Sequence, residues 1–143
     1  IKKGKIVGID LSGEMIKQAL LKTKKIKNIT LKKADVDKIP YPNKTFDHVL
    51  ATDAFHHFPN SDIAIREMKR VTKENGTITI ADISIFPHFI TNIFFKIEPG
   101  FVHMYSRKEM LWLAEKHGLK ILKQKQAGIF FLITIMGEKE VGN

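Results

Sequence analysis

Three aspartates each follow a short apolar run with the length of a β-strand. Asp10 ends "KIVGID", Asp35 ends "NITLKKAD" and Asp53 ends "FDHVLATD". An ionised carboxylate accepts hydrogen bonds but donates none, so it suits the two hydroxyls of a ribose or the exocyclic amine of an adenine. In an open α/β sheet, small ligands bind beyond the carboxyl ends of the strands. The three aspartates therefore predict a ligand-binding edge.

Two of these aspartates also have a simpler interpretation. Asp10 can cap the turn that follows it, in competition with Ser12, and Asp35 can be a solvent-facing turn residue before Val36. For Asp10 we favour ribose binding, because the residue closes a buried strand. For Asp35 the adenine contact and the turn remain equal alternatives.

The segments around the aspartates alternate between strand and helix patterns. Strands are predicted at residues 5–9, 28–35, 46–52 and 77–84. One helix follows the N-cap candidate Ser12, and another starts near Asn60 or Ser61 and runs to about Thr72, where the Asn-Gly pair at 75–76 turns the chain. This alternation predicts a parallel sheet with right-handed crossovers.

The C-terminal part of the sequence predicts a reversed strand. Ser106 and Glu109 have the spacing of a capping box, which opens a helix that ends at His117 and Gly118. The strands predicted at 119–125 and 129–136 are separated by three residues, too few for a parallel crossover, so they must be antiparallel. We expect one α/β domain over residues 1–143, with a mostly parallel sheet flanked by helices.

The charge and composition exclude several classes of protein. The chain has 24 Lys and Arg against 15 Asp and Glu, a formal charge of +9, but only three arginines, and its lysines are scattered. Nucleic-acid sites favour arginine and interleaved aromatic residues, so we expect a solvated lysine-rich surface and no nucleic-acid partner. No apolar run approaches the roughly 20 residues of a membrane span, and no signal peptide is recognisable, so no stable membrane insertion and a cytoplasmic location are expected. The absence of cysteine fits a reducing compartment.

Three segments together resemble a known family. "VGIDLSGEMIKQA", "ADVDKIPYPNKTFDHVLATDAFHHF" and "EMKRVTKENGTITIADIS" resemble, in order and spacing, the class I S-adenosylmethionine-dependent methyltransferases. The similar branch includes the ubiquinone and menaquinone biosynthesis enzymes (methyltransferase type 11). The resemblance implies a Rossmann-like fold, S-adenosylmethionine as cofactor and methyl transfer to a small acceptor.

The resemblance also implies roles for individual residues. Asp10 would bind the ribose, with Leu11 packed beside the adenine and Met15 as a second contact. Asp35 and the backbone of Val36 would hold the adenine amine. The methionine end of the cofactor would be lined by three consecutive residues, Ala51, Thr52 and Asp53.

The same resemblance places aromatic and basic side chains on the substrate side. Phe55 and His56 would border the substrate, although Phe55 and Phe58 can equally be core residues. For an oxygen or nitrogen acceptor that needs a base, His56 and His57 are the candidates, followed by His103 and Tyr105. A histidine pair at this position can also be structural. No metal is expected, because adjacent histidines rarely face one ion and no third ligand has suitable spacing.

The apolar segment 86–105 is expected to be an insertion with a short helix and irregular flanks. Its aromatic residues are Phe86, Phe89, Phe94, Phe95, Phe101 and Tyr105. If it folds over the site, it makes a lid suited to a hydrophobic acceptor. A contact between copies in a homo-oligomer and a membrane-touching patch are the alternatives.

The sequence departs from the family at its beginning. The family's sheet has the strand order 3-2-1-4-5-7-6, and its glycine-rich loop joins the first strand to the first helix. Neither the loop, the first strand nor the first helix has a counterpart here, because the sequence starts at the second strand. We expect a fragment of a longer protein; direct closure of the two edges, or a second chain in the gap, are the alternatives.

Two other functions compete with methyl transfer. A catalytically incomplete methyltransferase-like module could serve in binding or assembly. An NAD-dependent oxidoreductase shares the acidic residue after its second strand, so Asp10 alone does not distinguish the two cofactors.

Overall fold

The computed structural model describes residues 4–84, 88–97, 99–125 and 131–139. The elements within these ranges are β1 (Ile6–Asp10), α1 (Gly13–Thr23), β2 (Ile29–Lys33), β3 (Phe46–Thr52), α2 (Ser61–Val71), β4 (Thr72–Ser84), α3 (His88–Phe94), α4 (Arg107–Lys116), β5 (Leu119–Lys125) and β6 (Phe131–Lys139). Short 3₁₀ turns cover Val36–Lys38, Phe55–His57 and Phe95–Ile97. The chain divides into two compact units, Ile1–Pro40 and Tyr41–Asn143, called here the first and the second unit.

The first unit is a strand–helix–strand motif. Strands β1 and β2 are parallel, with Ile6 opposite Ile29 and Asp10 opposite Lys33, and α1 connects them. The helix begins where the sequence predicts, because the Ser12 hydroxyl accepts a hydrogen bond from the backbone N–H of Met15 at 3.3 Å. None of the residues of α1 is buried.

The second unit contains a four-stranded sheet in the order β3-β4-β6-β5. Strands β3 and β4 are parallel, and β6 is antiparallel to both of its neighbours. Helix α2 buries one face, which consists of Ala64, Ile65, Met68 and Val71. Three residues of α4 are also buried, namely Met110, Leu113 and Ala114. The apolar core of this unit lies between these helices and the sheet.

The two strand orders agree with the fold that the sequence predicts. If β1 corresponds to the second strand of the family, the neighbours β2-β1 match 3-2 and the order β3-β4-β6-β5 matches 4-5-7-6. Only β6 runs against the other strands of its sheet. The prediction of an α/β, Rossmann-like architecture with a reversed C-terminal strand is confirmed.

The predicted turn at 75–76 is wrong, because both residues lie inside β4. The register between β3 and β4 shifts between the pairs Phe46–Thr72 and His48–Thr77, so β4 carries extra residues opposite Asp47. A Cβ atom on Gly76 would lie 2.8 Å from the carbonyl oxygen of Asp47. Glycine therefore permits a close strand approach here, and α2 ends at Val71.

The C-terminal elements follow the sequence closely. Ser106 and Glu109 form both hydrogen bonds of the capping box, and Gly118 after α4 has a φ of +62°. Strand β5 has the predicted bounds, whereas β6 covers Phe131–Lys139 instead of 129–136. The described residues leave out the predicted connection at 126–128 and the start of the predicted strand at 129–130. They also leave out residues 85–87 and residue 98, which lie in or next to the apolar segment.

Candidate functional site

Asp10 lies at the carboxyl end of β1 and is exposed. Its Oδ1 accepts a hydrogen bond from the backbone N–H of Ser12 at 2.7 Å, and its carbonyl accepts one from Ala34 at 3.0 Å. The turn-capping interaction that the sequence suggests is therefore present. Within the described part of the chain, no hydrogen bond to Oδ2 is found, so the fixed carboxylate keeps one oxygen for a ligand.

Leu11 and Met15 provide apolar surface next to this carboxylate. Leu11 directly follows β1, Met15 lies in the first turn of α1, and both side chains are more than half exposed. Exposed apolar side chains beside an acceptor are suited to the face of a purine ring. Leu11 and Met15, which the family resemblance implies as contacts of the adenine, therefore lie on the same turn as Asp10.

Asp35 lies two residues beyond β2 and begins the 3₁₀ turn that starts at Val36. Its Oδ1 accepts a hydrogen bond from the backbone N–H of Asp37 at 2.9 Å. Because β1 and β2 are parallel neighbours, Asp10 and Asp35 lie at the same edge of the first unit.

Asp37 is a residue of this edge that the sequence reasoning missed. Its Oδ1 is buried and, among the described residues, has no hydrogen-bond partner. Burial, followed by the nearby charge of Asp35, raises the pKa of Asp37 above its ordinary value. The Asp-x-Asp spacing at 35 and 37 was the only available signal.

The second unit places Ala51, Thr52 and Asp53 at the carboxyl end of β3. Ala51 is buried, whereas Thr52 and Asp53 are exposed. Asp53 has a φ of +51°, in the left-handed region that aspartate tolerates better than most residues. Its backbone N–H donates to the carbonyl of Ala81 at 2.9 Å. The main chain therefore leaves β3 in a sharp turn that is tied to the end of β4.

His56 forms a buried pair with Asp82, a residue that the sequence reasoning did not select. His56 Nδ1 lies 2.6 Å from Asp82 Oδ1, and the backbone N–H of His56 donates to Oδ2 at 2.8 Å. Only 7% of His56 and 6% of Asp82 is exposed. The position of Asp82 near the end of β4 matches that of the other strand-end aspartates, so the same argument could have identified it.

His57 is oriented by a different contact. Its Nδ1 lies 2.9 Å from the carbonyl oxygen of Gly100, which accepts the hydrogen bond. In a neutral ring this arrangement leaves Nε2 as the acceptor nitrogen. The rings of His56 and His57 are 4.0 Å apart, so the two predicted base candidates do lie together.

An aromatic column extends from the histidine pair towards α3. The ring of Phe101 lies 6.2 Å from His56 and 5.9 Å from Phe95, and these rings are tilted by the same 38°. Phe55 is completely buried and contacts Phe58 and Tyr105 edge-on. The core interpretation of Phe55 is therefore the correct one.

His103 and Tyr105, the secondary base candidates, belong to a neighbouring network. His103 Nε2 lies 2.9 Å from Glu109 Oε1, and its backbone N–H donates to the carbonyl of His56. Burial opposes ionisation of Glu109, but hydrogen bonds from Ser106 and His103 hold its pKa below the ordinary value. Burial raises the pKa of Tyr105, so its hydroxyl stays protonated near neutral pH and cannot act as a base there.

Three side chains of this region have metal-ligand types at short range. One ligand atom each of Asp53, His56 and Asp82 lies within 4.8 Å of the others. The Asp82 carboxylate already accepts hydrogen bonds from the backbone of Ile83 and His56, and it contacts the His56 ring. These contacts occupy about three of the four acceptor positions of the carboxylate, so hydrogen bonds hold Asp82 in place beside His56.

The described residues thus form an α/β protein with carboxylates at the ends of parallel strands, which is the general arrangement of nucleotide and cofactor sites. Residues 2–80 match the family described as "Methyltransferase domain", which is more than half of the chain. The chain therefore belongs to the methyltransferase domain family.

Curated relatives agree with this assignment. A demethylmenaquinone methyltransferase of Staphylococcus epidermidis is 31% identical over 136 residues, which cover 90% of this chain and 56% of the relative. The corresponding protein of Staphylococcus haemolyticus is 30% identical over 119 residues, or 78% of this chain and 50% of the relative. The chain spans about half the length of these relatives.

Solved structures give the same result for the fold. A SAM-dependent methyltransferase from Aquifex aeolicus is 27% identical and matches with a TM-score of 0.74 over 94% of this chain and 70% of that protein. The YcgJ protein from Bacillus subtilis, at 19% identity, has a TM-score of 0.81 over 96% of this chain and 83% of its own, and supports the fold alone.

Proposed function

We propose that residues 1–143 form a single S-adenosylmethionine-dependent methyltransferase domain, which transfers a methyl group to a small, apolar acceptor by in-line displacement. One observation carries the proposal: Asp10 and Asp35 lie at adjacent parallel strand ends in a member of the methyltransferase domain family. The name of the Staphylococcus epidermidis relative supports an apolar, quinone-like acceptor.

The first unit fits the nucleoside part of the cofactor. Asp10 keeps an oxygen for the ribose hydroxyls, which are donors, and Leu11 and Met15 offer apolar surface for the adenine. Asp35, with the backbone of Val36, would hold the adenine amine. A carboxylate is an appropriate partner for each of these donors, because neither ligand group carries a negative charge.

The carboxyl end of β3 carries the residues proposed for the methionine end of the cofactor. Thr52 and Asp53 would line the methionine portion together with Ala51, and the Asp53 carboxylate would pair with its ammonium group. The bound cofactor supplies an activated methyl group on a sulfonium. The protein's own contribution is to align the acceptor and to exclude water.

His56 and His57 are the proposed catalytic residues. For a hydroxyl or amine acceptor, one of them would take the acceptor's proton as the new bond to the methyl carbon forms. The hydrogen bond that the Asp82 carboxylate accepts from Nδ1 fixes the orientation of the His56 ring, and the one that the Gly100 carbonyl accepts fixes that of His57. A ring carbon of an electron-rich acceptor needs less assistance from a base.

Calorimetric titration with S-adenosylhomocysteine tests the proposal directly. We expect binding by the parent chain and at least tenfold weaker binding by Asp10→Asn, because a hydrogen bond to a charged group contributes about 1.5–3 kcal/mol. Asn at this position can still accept from Ser12, so the loop is preserved. Glu14→Gln, an exposed change on the same turn, is the matched control.

The same titration separates the competing functions. Binding of NAD instead of S-adenosylhomocysteine would indicate the oxidoreductase, against which the family match already speaks. Binding of neither ligand would indicate the binding or assembly module. Equal affinity of the parent and Asp10→Asn for S-adenosylhomocysteine would contradict the ribose contact.

A further inference from the structure

Asp53, His56 and Asp82, which we call the β3–β4 cluster, bring three metal-ligand side chains together near the carboxyl ends of β3 and β4. One ligand atom of each residue lies within 4.8 Å of the other two. Ligand atoms on opposite sides of a bound transition-metal ion are about 4–4.4 Å apart, which is twice the usual bond length. Small movements of the side chains would therefore bring all three atoms onto one ion.

The cluster carries more negative charge than its described surroundings balance. Among the residues that the structure describes, no lysine or arginine forms an ion pair with Asp53 or Asp82, and Asp82 pairs only with His56. Even a protonated His56 would neutralise one of the two carboxylates and leave the other. Asp82 is only 6% exposed, and a buried carboxylate is costly unless a cation or a metal compensates it.

From this geometry and charge we propose that the β3–β4 cluster binds a divalent transition-metal ion of the Zn²⁺ type. An imidazole nitrogen with carboxylate oxygens suits Zn²⁺, whereas Mg²⁺ and Ca²⁺ prefer oxygen ligands alone. The two carboxylates balance the charge of the ion. Adjacent histidines are unsuited to one ion, as the sequence indicates, but this cluster combines a single histidine with two strand-end aspartates.

The hydrogen bonds around Asp82 would hold its carboxylate ready for the ion. The backbone N–H groups of His56 and Ile83 donate to it at 2.8 Å each, and about one acceptor position remains. If Nε2 of His56 binds the ion, Nδ1–H keeps donating to Asp82, which is the usual support of a metal-bound imidazole. If Nδ1 binds the ion, its proton is released to water.

Asp53 is the exposed member of the cluster and gives an ion access from solvent. Its backbone has a φ of +51°, and its N–H donates to the carbonyl of Ala81, the neighbour of Asp82, at 2.9 Å. Within the described ranges, its carboxylate forms no hydrogen bond or ion pair. The main chain thus fixes this carboxylate close to the buried pair, with both oxygens available.

Asp53 is also the residue proposed to pair with the ammonium group of the cofactor. A divalent cation and an ammonium ion repel each other, so one carboxylate cannot bind both well. Zn²⁺ and S-adenosylhomocysteine should therefore weaken each other's binding by the same factor. This competition rests on the proposed function, whereas the metal site itself does not.

Calorimetric titration of the full 143-residue chain with Zn²⁺, after treatment with a chelator, tests the site. We expect one equivalent per chain, weaker binding of Mg²⁺, and at least about tenfold weaker binding of Zn²⁺ by Asp53→Asn and by His56→Gln. Asparagine tolerates a positive φ as aspartate does, so Asp53→Asn preserves the turn. Asp47→Asn and His48→Gln, exposed changes in β3, are the matched controls and should bind Zn²⁺ like the parent.

Several outcomes would contradict the metal site. It is overturned if the parent does not bind Zn²⁺, if Asp53→Asn binds it as tightly as the parent, or if His48→Gln loses it. Equal affinity for Mg²⁺ would refute the nitrogen ligand.

Titration with S-adenosylhomocysteine, with and without Zn²⁺, keeps the two proposals apart. Zn²⁺ binding without binding of S-adenosylhomocysteine would refute only the methyltransferase. Binding of both ligands with unchanged affinities would remove Asp53 from the ammonium contact and support a metal site that is independent of the cofactor.

Discussion

The two units differ in how they use their apolar residues. Within residues 4–40 only Ile39 is buried, and α1 exposes Leu20 and Leu21 by half or more. The second unit buries a complete helix face and the His56–Asp82 pair. The candidate nucleoside contacts therefore lie on the weakly covered unit, whereas the candidate acid–base groups lie on the well-packed one. Ligand binding can stabilise the first unit, but the second has its own core.

We expect the largest difference between the two units in the loss of stability when an apolar side chain is shortened to alanine. Phe55→Ala in the second unit should lower the free energy of unfolding by about 3–5 kcal/mol, because it removes a fully buried ring. Leu20→Ala in the first unit should cost less than about 1 kcal/mol, since its side chain is half exposed. Denaturant unfolding measures both, and Trp112 in α4 reports on the second unit. Equal losses would contradict the contrast in burial.

A smaller but still large effect is expected when the buried polar pair is broken. Asp82→Ala leaves the ring and the backbone N–H of His56 without their acceptor, which should cost about 3 kcal/mol of stability. Asp47→Ala, at an exposed carboxylate bound by Lys73, should change the free energy of unfolding very little, because solvent screens an exposed ion pair. The same denaturant assay compares them. A similar cost for the two variants would mean that the pair does little for the second unit.

The smallest effect concerns an ion cluster at the surface of the second unit. Hydrogen bonds from Lys116 and then His117 hold the pKa of Asp62 below its ordinary value, and both nitrogen atoms lie 2.7 Å from Oδ1. Because the Asp62 side chain is 37% exposed and solvent screens these contacts, Asp62→Asn should cost less than about 1 kcal/mol near neutral pH. Because the folded carboxyl is harder to protonate than the unfolded one, this contribution disappears as the pH falls below about 4.

Measuring the free energy of unfolding across acidic pH tests whether the contribution of Asp62 disappears in acid. The difference between the parent and Asp62→Asn should shrink towards zero as the pH falls through the lowered pKa, whereas Glu115→Gln, an exposed change in α4, should match the parent throughout. A difference that grows in acid would show that Asp62 is protonated more readily in the folded protein than in the unfolded chain.

Local signals predicted most of the fold. The capping box of Ser106 and Glu109 and the N-cap of Ser12 depend on residues three positions apart, and both are present. The strand extension through Gly76 could not be predicted, because it depends on Asp47, which is 29 positions away in sequence and approaches only when β3 and β4 pair. An Asn-Gly pair has the same local pattern in a turn and in a bulged strand.

The candidate site shows the same difference between features that depend on local sequence and features that depend on distant residues. The strand-end positions of Asp10, Asp35 and Asp53 follow from local patterns, and the structure contains them. The pairing of His56 with Asp82 spans 26 positions and depends on the arrangement of β3 and β4, which periodicity does not encode. The sequence left the apolar segment open between a lid, a contact between copies and a membrane-touching patch, and the exposure of Ile93, Phe94 and Ile97 depends on packing that the local pattern does not encode.

The central position of β6 has a consequence for synthesis of the protein. Strand β5 pairs with β6, and β6 separates it from β4, so neither β4 nor β5 completes its hydrogen bonds before residues 131–139 leave the ribosome. The nascent chain therefore exposes an open edge of β4 throughout the translation of α3, α4 and β5. Folding of this sheet must wait until translation has passed its last strand, and chaperones have that interval in which to act.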